Sequence, residues 1–80
     1  MIIEITRSHI KMKAGERTIT IEGEAYLRGH GSPDFVAYSN SIVNWDPPYD
    51  NEKIDDQEKN RILEELKTEM NKKEMTLEIE

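Results

Sequence analysis

Ile3 and Ile5 are interleaved with Glu4 and Thr6, and after a turn near Arg7-Ser8 the pattern returns as Ile10 and Met12 between Lys11 and Lys13. A period of two sends successive side chains to opposite faces, so both runs read as short strands with one packed side. Ala14-Gly15-Glu16 is a compact connection, in which Gly15 takes a positive φ at little cost. From Thr18 to Leu27 the alternation is cleanest. Ile19, Ile21, Gly23, Ala25 and Leu27 fall on one side, and Thr18, Thr20, Glu22, Glu24 and Tyr26 on the other. This predicts a long strand with a packed and a wet face, and Gly23 at its middle marks a bulge or a close approach from above.

Gly29, Gly31 and Pro33 break the pattern, which makes residues 28–33 a loop. Residues 34–38 and 41–45 are β-prone runs joined by Ser39-Asn40, which predicts a hairpin. Pro47 and Pro48 cannot donate to a sheet ladder and hold Asp46 and Pro47 extended, so a stiff loop ends that hairpin. A helix follows. Asp55 is its N-cap, Glu58 completes a capping box, and Ile62, Leu63, Leu66 and Met70 form its apolar stripe opposite charged positions such as Glu65 and Lys72. Asp55, Asp56 and Glu58 suit the positive end of the helix dipole, and Lys72 and Lys73 the other end. Met75-Thr76-Leu77-Glu78-Ile79 returns to a period of two. The order β-β-β-β-β-α-β predicts an α+β domain over residues 1–80: one antiparallel-rich sheet, packed on one face by a single helix, with the last strand returning to it. That strand is expected beside residues 2–6, in parallel.

Composition narrows the function. A chain of 80 residues without cysteine has no disulfide or thiolate metal site to lean on. Its core must hold a fold that buries only about 60–65% of the unfolded surface. The start of the chain meets a charge at Glu4 and never reaches the apolar length of a signal peptide or membrane span, so a cytosolic protein is expected. The net charge is −6, and it is lopsided: −1 over residues 1–49 and −5 over residues 50–80. A basic partner fits that sign. Nucleic acid does not, because Lys11, Lys13, Arg17 and Arg28 are too few and too spaced for a phosphate footprint.

Catalytic and metal patterns are thin. His30 with Asp34 supplies two metal ligands where a zinc site needs three or four. Ser32, His30 and Asp34 sit together on a loop, outside any nucleophile elbow. Gly29-His30-Gly31-Ser32 lacks the lysine and the strand-to-helix setting of a phosphate loop. Glu22 and Glu24 share one strand face about 7 Å apart. A paired-carboxylate enzyme or accessory subunit would use them, whereas a solvated strand face explains them as well. No catalytic residue, metal or cofactor is therefore assigned. Aromatics suit binding better, since Trp45, Tyr49, Tyr26 and Tyr38 each bring large area with a polar edge. Trp45 reads as core plug or interface group; Tyr49, in its loop, is expected to be exposed. Asp46, Asp50, Glu52, Asp55 and Asp56 form an acidic rim nearby, and Asp55 already has its capping role.

Gly31-Ser32-Pro33-Asp34-Phe35, Ser41-Ile42, Trp45-Asp46-Pro47-Pro48 and the ending Met75-Thr76-Leu77-Glu78-Ile79-Glu80, in this order and spacing, resemble the immunity protein 74 family of bacterial polymorphic-toxin and contact-dependent growth inhibition systems. The likeness runs from Ile3-Glu4-Ile5-Thr6-Arg7 onward through the long strand. It implies a protein that binds a cognate toxin domain in the cytosol and blocks it without catalysis. Many such toxins are nucleases with basic substrate grooves, for which an acidic plug is complementary. Surface chemistry rather than the resemblance supplies the expected contact residues: Asp46, Tyr49, Asp50 and Glu52, with Glu22 and Glu24. An adaptor for some other basic protein is the remaining alternative.

Overall fold

The structure is a computed structural model that describes residues 1–27 and 31–80. Five strands form one sheet in the order of the chain: β1 (Ile2–Ile5), β2 (His9–Ala14), β3 (Arg17–Ala25), β4 (Phe35–Ala37) and β5 (Leu77–Ile79). The first four are antiparallel neighbours, and β5 runs parallel to β4. One helix, α1 (Asp56–Lys72), packs Ile62, Leu66 and Met70 onto Ile10, Met12, Ile19 and Ile21 of the sheet. The α+β class with a single helix and a returning final strand is as the alternation requires. Among the described residues no helix is long and apolar enough to cross a membrane.

Local chemistry explains the well-read elements. Gly15 sits at φ +67° in the two-residue turn between Ala14 and Arg17. Asp55 caps α1 by accepting from the Glu58 N–H at 2.8 Å. Asp55→Ala should therefore cost about 1 kcal/mol, read as a lower urea midpoint at unchanged slope. At the other end the Met75 N–H reaches the Met70 carbonyl and the Glu74 N–H the Asn71 carbonyl, with Glu74 at φ +57°. This pair of bonds is the Schellman termination, and it turns the chain out of the helix and into β5.

Four expectations are corrected. The final strand lies beside β4, at the opposite edge from β1. A reciprocal lock sets it there: the Asp34 N–H donates to Thr76 Oγ1 at 2.8 Å, and the Thr76 N–H donates to Asp34 Oδ2 at 2.8 Å. The 34–45 hairpin does not form. After β4 the chain makes a 3₁₀ turn at Ser39–Ser41 and then buries Ile42 and Trp45, three apart, while Val43 is 51% exposed. A strand would put Val43 and Trp45 on one face; here the Trp45 ring goes into the core, and only an isolated bridge, Asn44 with Lys53, remains. The long strand stops at Ala25, and Leu27 is 79% exposed rather than packed. In β1 a bulge between Ile2 and Glu4 turns Ile3 outward, leaving Ile2 and Ile5 to meet Met12 and Ile10.

Gly23 is the close approach that its position suggests. A methyl group there would run into the Val36 carbonyl oxygen and the Phe35 ring. At the far edge the helix holds β1 through its glutamates. Glu65 accepts from the Met1 amino group at 3.0 Å, and Glu69 from the Ile2 N–H at 3.4 Å. The Ile2 N–H, and then Lys72, hold the Glu69 carboxyl below the ordinary carboxylate range. A depressed folded-state value means that this tether contributes above the unfolded pKa and is lost as pH falls through the folded one. In that acid window the β1 amides should gain exchange rate before those of β3, which hydrogen exchange would register.

Candidate partner-binding face

Because α1 takes the Ile19 and Ile21 side of β3, the even residues of that strand face away from the helix, and no second helix covers them among the described residues. The strand registers then build a lattice of nine residues. Glu24 pairs with Val36, and Val36 with Glu78. One step toward the end of β3 stand Tyr26, Asp34 and Thr76; one step the other way stand Glu22, Tyr38 and Glu80, as the backbone bonds of Tyr26 to Asp34, Tyr38 to Glu22 and Ser39 to Glu80 require. Neighbouring carboxylates along a strand are about 7 Å apart, and those two strands apart about 10 Å.

Val36 sits at the centre and is only 4% exposed although it lies outside the main core cluster. Tyr26 and Tyr38 both aim their hydroxyls at Glu24 Oε2, at 3.2 and 3.5 Å. Burial first, and the adjoining Glu24 carboxylate with it, push both tyrosine hydroxyls up, so they stay protonated donors. Glu22, Glu24, Glu78 and Glu80 are exposed, and none forms an ion pair among the described residues. The described imidazole, His9 opposite Glu22, is bound to Glu4 at 2.8 Å and holds that carboxyl below its ordinary range.

The six residues expected to make contact divide between two sides. Glu22 and Glu24 stand on the open face. Asp46 reaches the same face, accepting from Thr20 Oγ1 at 2.8 Å, one residue pair from Glu22. Tyr49 and Glu52 go elsewhere. Tyr49 is half-buried against the core, not exposed, with the Arg17 guanidinium 4.6 Å above its ring, and Glu52 holds Arg17 at 2.9 Å. The pairing with Arg17 neutralises Glu52, so the acidic rim near Trp45 is broken. Asp50 is exposed, and its carbonyl accepts from the Asn44 amide. Trp45 is a core residue at 6% exposure.

Glu78 and Glu80 were not part of the expected site, and Tyr26 and Tyr38, singled out as side chains suited to binding, were not placed beside Glu24. The alternation of Met75–Ile79 already sends Glu78 outward, and only the neighbour of that strand was missing. The readings centred on His30, namely a metal pair with Asp34, a Ser32-His30-Asp34 grouping and a Gly29–Ser32 phosphate loop, lie partly outside the described residues. Among those described, no three His, Asp or Glu residues converge as a metal would need. Glu22 and Glu24 are both exposed, whereas a shielded acid–base pair needs a site that excludes water.

No curated protein and no solved structure matches the chain. A family match, by contrast, covers residues 2–80. With essentially the whole sheet and helix inside that match, the chain belongs to the family described as Immunity protein 74.

Proposed function

We propose that this immunity protein neutralises its cognate toxin domain by laying the open sheet face on a basic surface of the toxin, with no bond made or broken. A nuclease, whose substrate groove is basic, is the toxin type that fits. The meeting takes place in the cytosol of a cell exposed to its own or a sibling's toxin. One observation carries the reading: Glu22, Glu24, Glu78 and Glu80, none of them in an ion pair among the described residues, surround Val36 on the face opposite the helix. Family membership supplies the need for a toxin partner. Complementary charge supplies steering and discrimination, and Tyr26 and Tyr38 supply broad, stiff contact area.

The test is co-expression with the toxin domain encoded beside the gene. Wild-type protein should restore growth. A folded Glu22→Lys/Glu24→Lys/Glu78→Lys variant should not, and full rescue by that variant would remove the open face from the mechanism.

A further inference from the structure

The two edges of the sheet differ. At β1 the edge is blunted. Met1 and Lys13 exchange main-chain bonds, so the Ile2 N–H points away from β2, and there it donates to Glu69 Oε1 at 3.4 Å. A bulge between Ile2 and Glu4 breaks the rest of the row. Bulges and covering groups are ordinary ways to close an edge. At β5 the edge is open. The Phe35 N–H reaches the Thr76 carbonyl, the Glu80 N–H the Ala37 carbonyl, and the Ser39 N–H the Glu80 carbonyl. Even-numbered residues of this strand therefore turn their main chain to β4. Leu77 and Ile79, one residue out of phase, turn theirs outward, and among the described residues no strand pairs with them there. Each presents one N–H and one C=O, the groups through which an added strand bonds.

Charge decides what the edge takes. Glu78 is exposed between the two outward-bonding residues, Glu80 follows it, and neither forms an ion pair among the described residues. A second copy, joined antiparallel through both Leu77 and Ile79, would set Glu78 directly against its own counterpart. Like charges so placed are destabilising. A segment with lysine or arginine opposite Glu78 meets attraction instead. On the other side of the strand Leu77 packs against the core, so an apolar residue opposite it would extend the helix-side layer. We propose that β5 receives an extended segment of a basic protein partner as an additional strand, bonded to the main chain of Leu77 and Ile79, with a lysine or arginine opposite Glu78. The partner meant is the toxin domain, and to that extent the inference rests on the function proposed above. It adds a directional main-chain anchor, which fixes register, to a face whose charges give steering.

The probe is the toxin domain encoded beside the gene, added to the ¹⁵N-labelled full chain. In the free chain the Glu78 and Glu80 amides should exchange slowly and those of Leu77 and Ile79 fast. In the complex the Leu77 and Ile79 amides should slow by about 10-fold or more. Ile79→Pro removes only an outward N–H, and an edge strand tolerates proline in that orientation. Its Glu78 and Glu80 amides should stay protected, which checks the fold. It should dissociate about 10-fold faster, the worth of one main-chain bond, and associate at the wild-type rate because every glutamate is kept. Ile79→Val retains the N–H and should dissociate like wild type. Leu77 and Ile79 amides that exchange as fast in the complex as in the free chain would overturn the inference, as would a folded Ile79→Pro protein with wild-type dissociation. The Glu22→Lys/Glu24→Lys variant leaves β5 as it is and keeps the two readings separate. Slowed association in that variant, alongside unprotected Leu77 and Ile79 amides in the wild-type complex, sinks the edge alone. Unchanged association, alongside protected amides and a fast-dissociating Ile79→Pro, sinks the open face alone. A toxin domain that does not bind the wild-type chain overturns both.

Discussion

Alanine at Gly23 should destabilise the domain by about 3 kcal/mol, the upper end of what overpacking costs. Where space allows, the same change in a strand stabilises by about 0.5–1 kcal/mol, because alanine loses less backbone freedom on folding than glycine. Sterics reverse the sign. The added methyl would meet both the Phe35 ring and the Val36 carbonyl oxygen, and Gly23 pairs directly with Ala37 in the next strand. A ring can tilt, but the carbonyl belongs to the β3–β4 ladder and moves only if the strands part. A domain of this size has about 4–12 kcal/mol of stability in all, so the loss removes a large share. Urea unfolding would show it as a reduced midpoint with the slope retained. In Gly23→Ala/Phe35→Leu the cost should fall below the sum of the two single costs, since the ring is one of the two obstacles. An unchanged midpoint in the single variant would mean that Phe35 does not pack on Gly23.

Gly23 was legible because a glycine inside an otherwise strict alternation has few explanations. The Asp55 cap was legible for a similar reason: it is decided by residues within one turn of each other. The misread segments depend on distant partners. Residues 41–45 carry strand-forming side chains, yet the burial of Trp45 outweighs them. The Asp46 N–H then bonds the Thr18 carbonyl, and the Ile54 N–H the Val43 carbonyl, so the chain's backbone is satisfied without a ladder. Likewise, nothing in Met75–Ile79 says which edge it joins. That is written in Asp34 and Thr76, which bond each other across the loop and the whole helix.

The edge matters for the surface as much as for the fold. Beside β1, Glu78 would stand near Glu4, whose charge His9 already engages. Beside β4 it stands across Val36 from Glu24, and Glu80 joins Glu22 through Tyr38. The acidic character expected near Trp45 is weakened by Arg17, and the stronger concentration arises on strands that the sequence separates widely. Acidity was therefore readable from composition, whereas its location was a property of strand order.

Reversing Glu22, Glu24 and Glu78 together to lysine should slow toxin association by about 10- to 1000-fold at low ionic strength. Each reversal adds two charges, so three bring the formal net charge from −6 to zero. Net charge alone would therefore slow any basic partner, and a matched control is required. Glu16 and Glu64 are exposed, one in the β2–β3 turn and one on α1. Reversing those two alters net charge as much as reversing Glu22 and Glu24, but leaves the open face intact. Steering by the face predicts that the Glu22/Glu24 pair slows association far more than the control pair. Raising the salt to about 0.15 M shortens the screening length to about 8 Å, which should compress the difference in association rate. The difference in dissociation rate should persist, because charge pairs in contact are screened less than those at a distance. Stopped-flow mixing at two salt concentrations measures both. Equal effects from the two double variants would mean that the toxin senses the overall charge of the molecule and not the lattice around Val36.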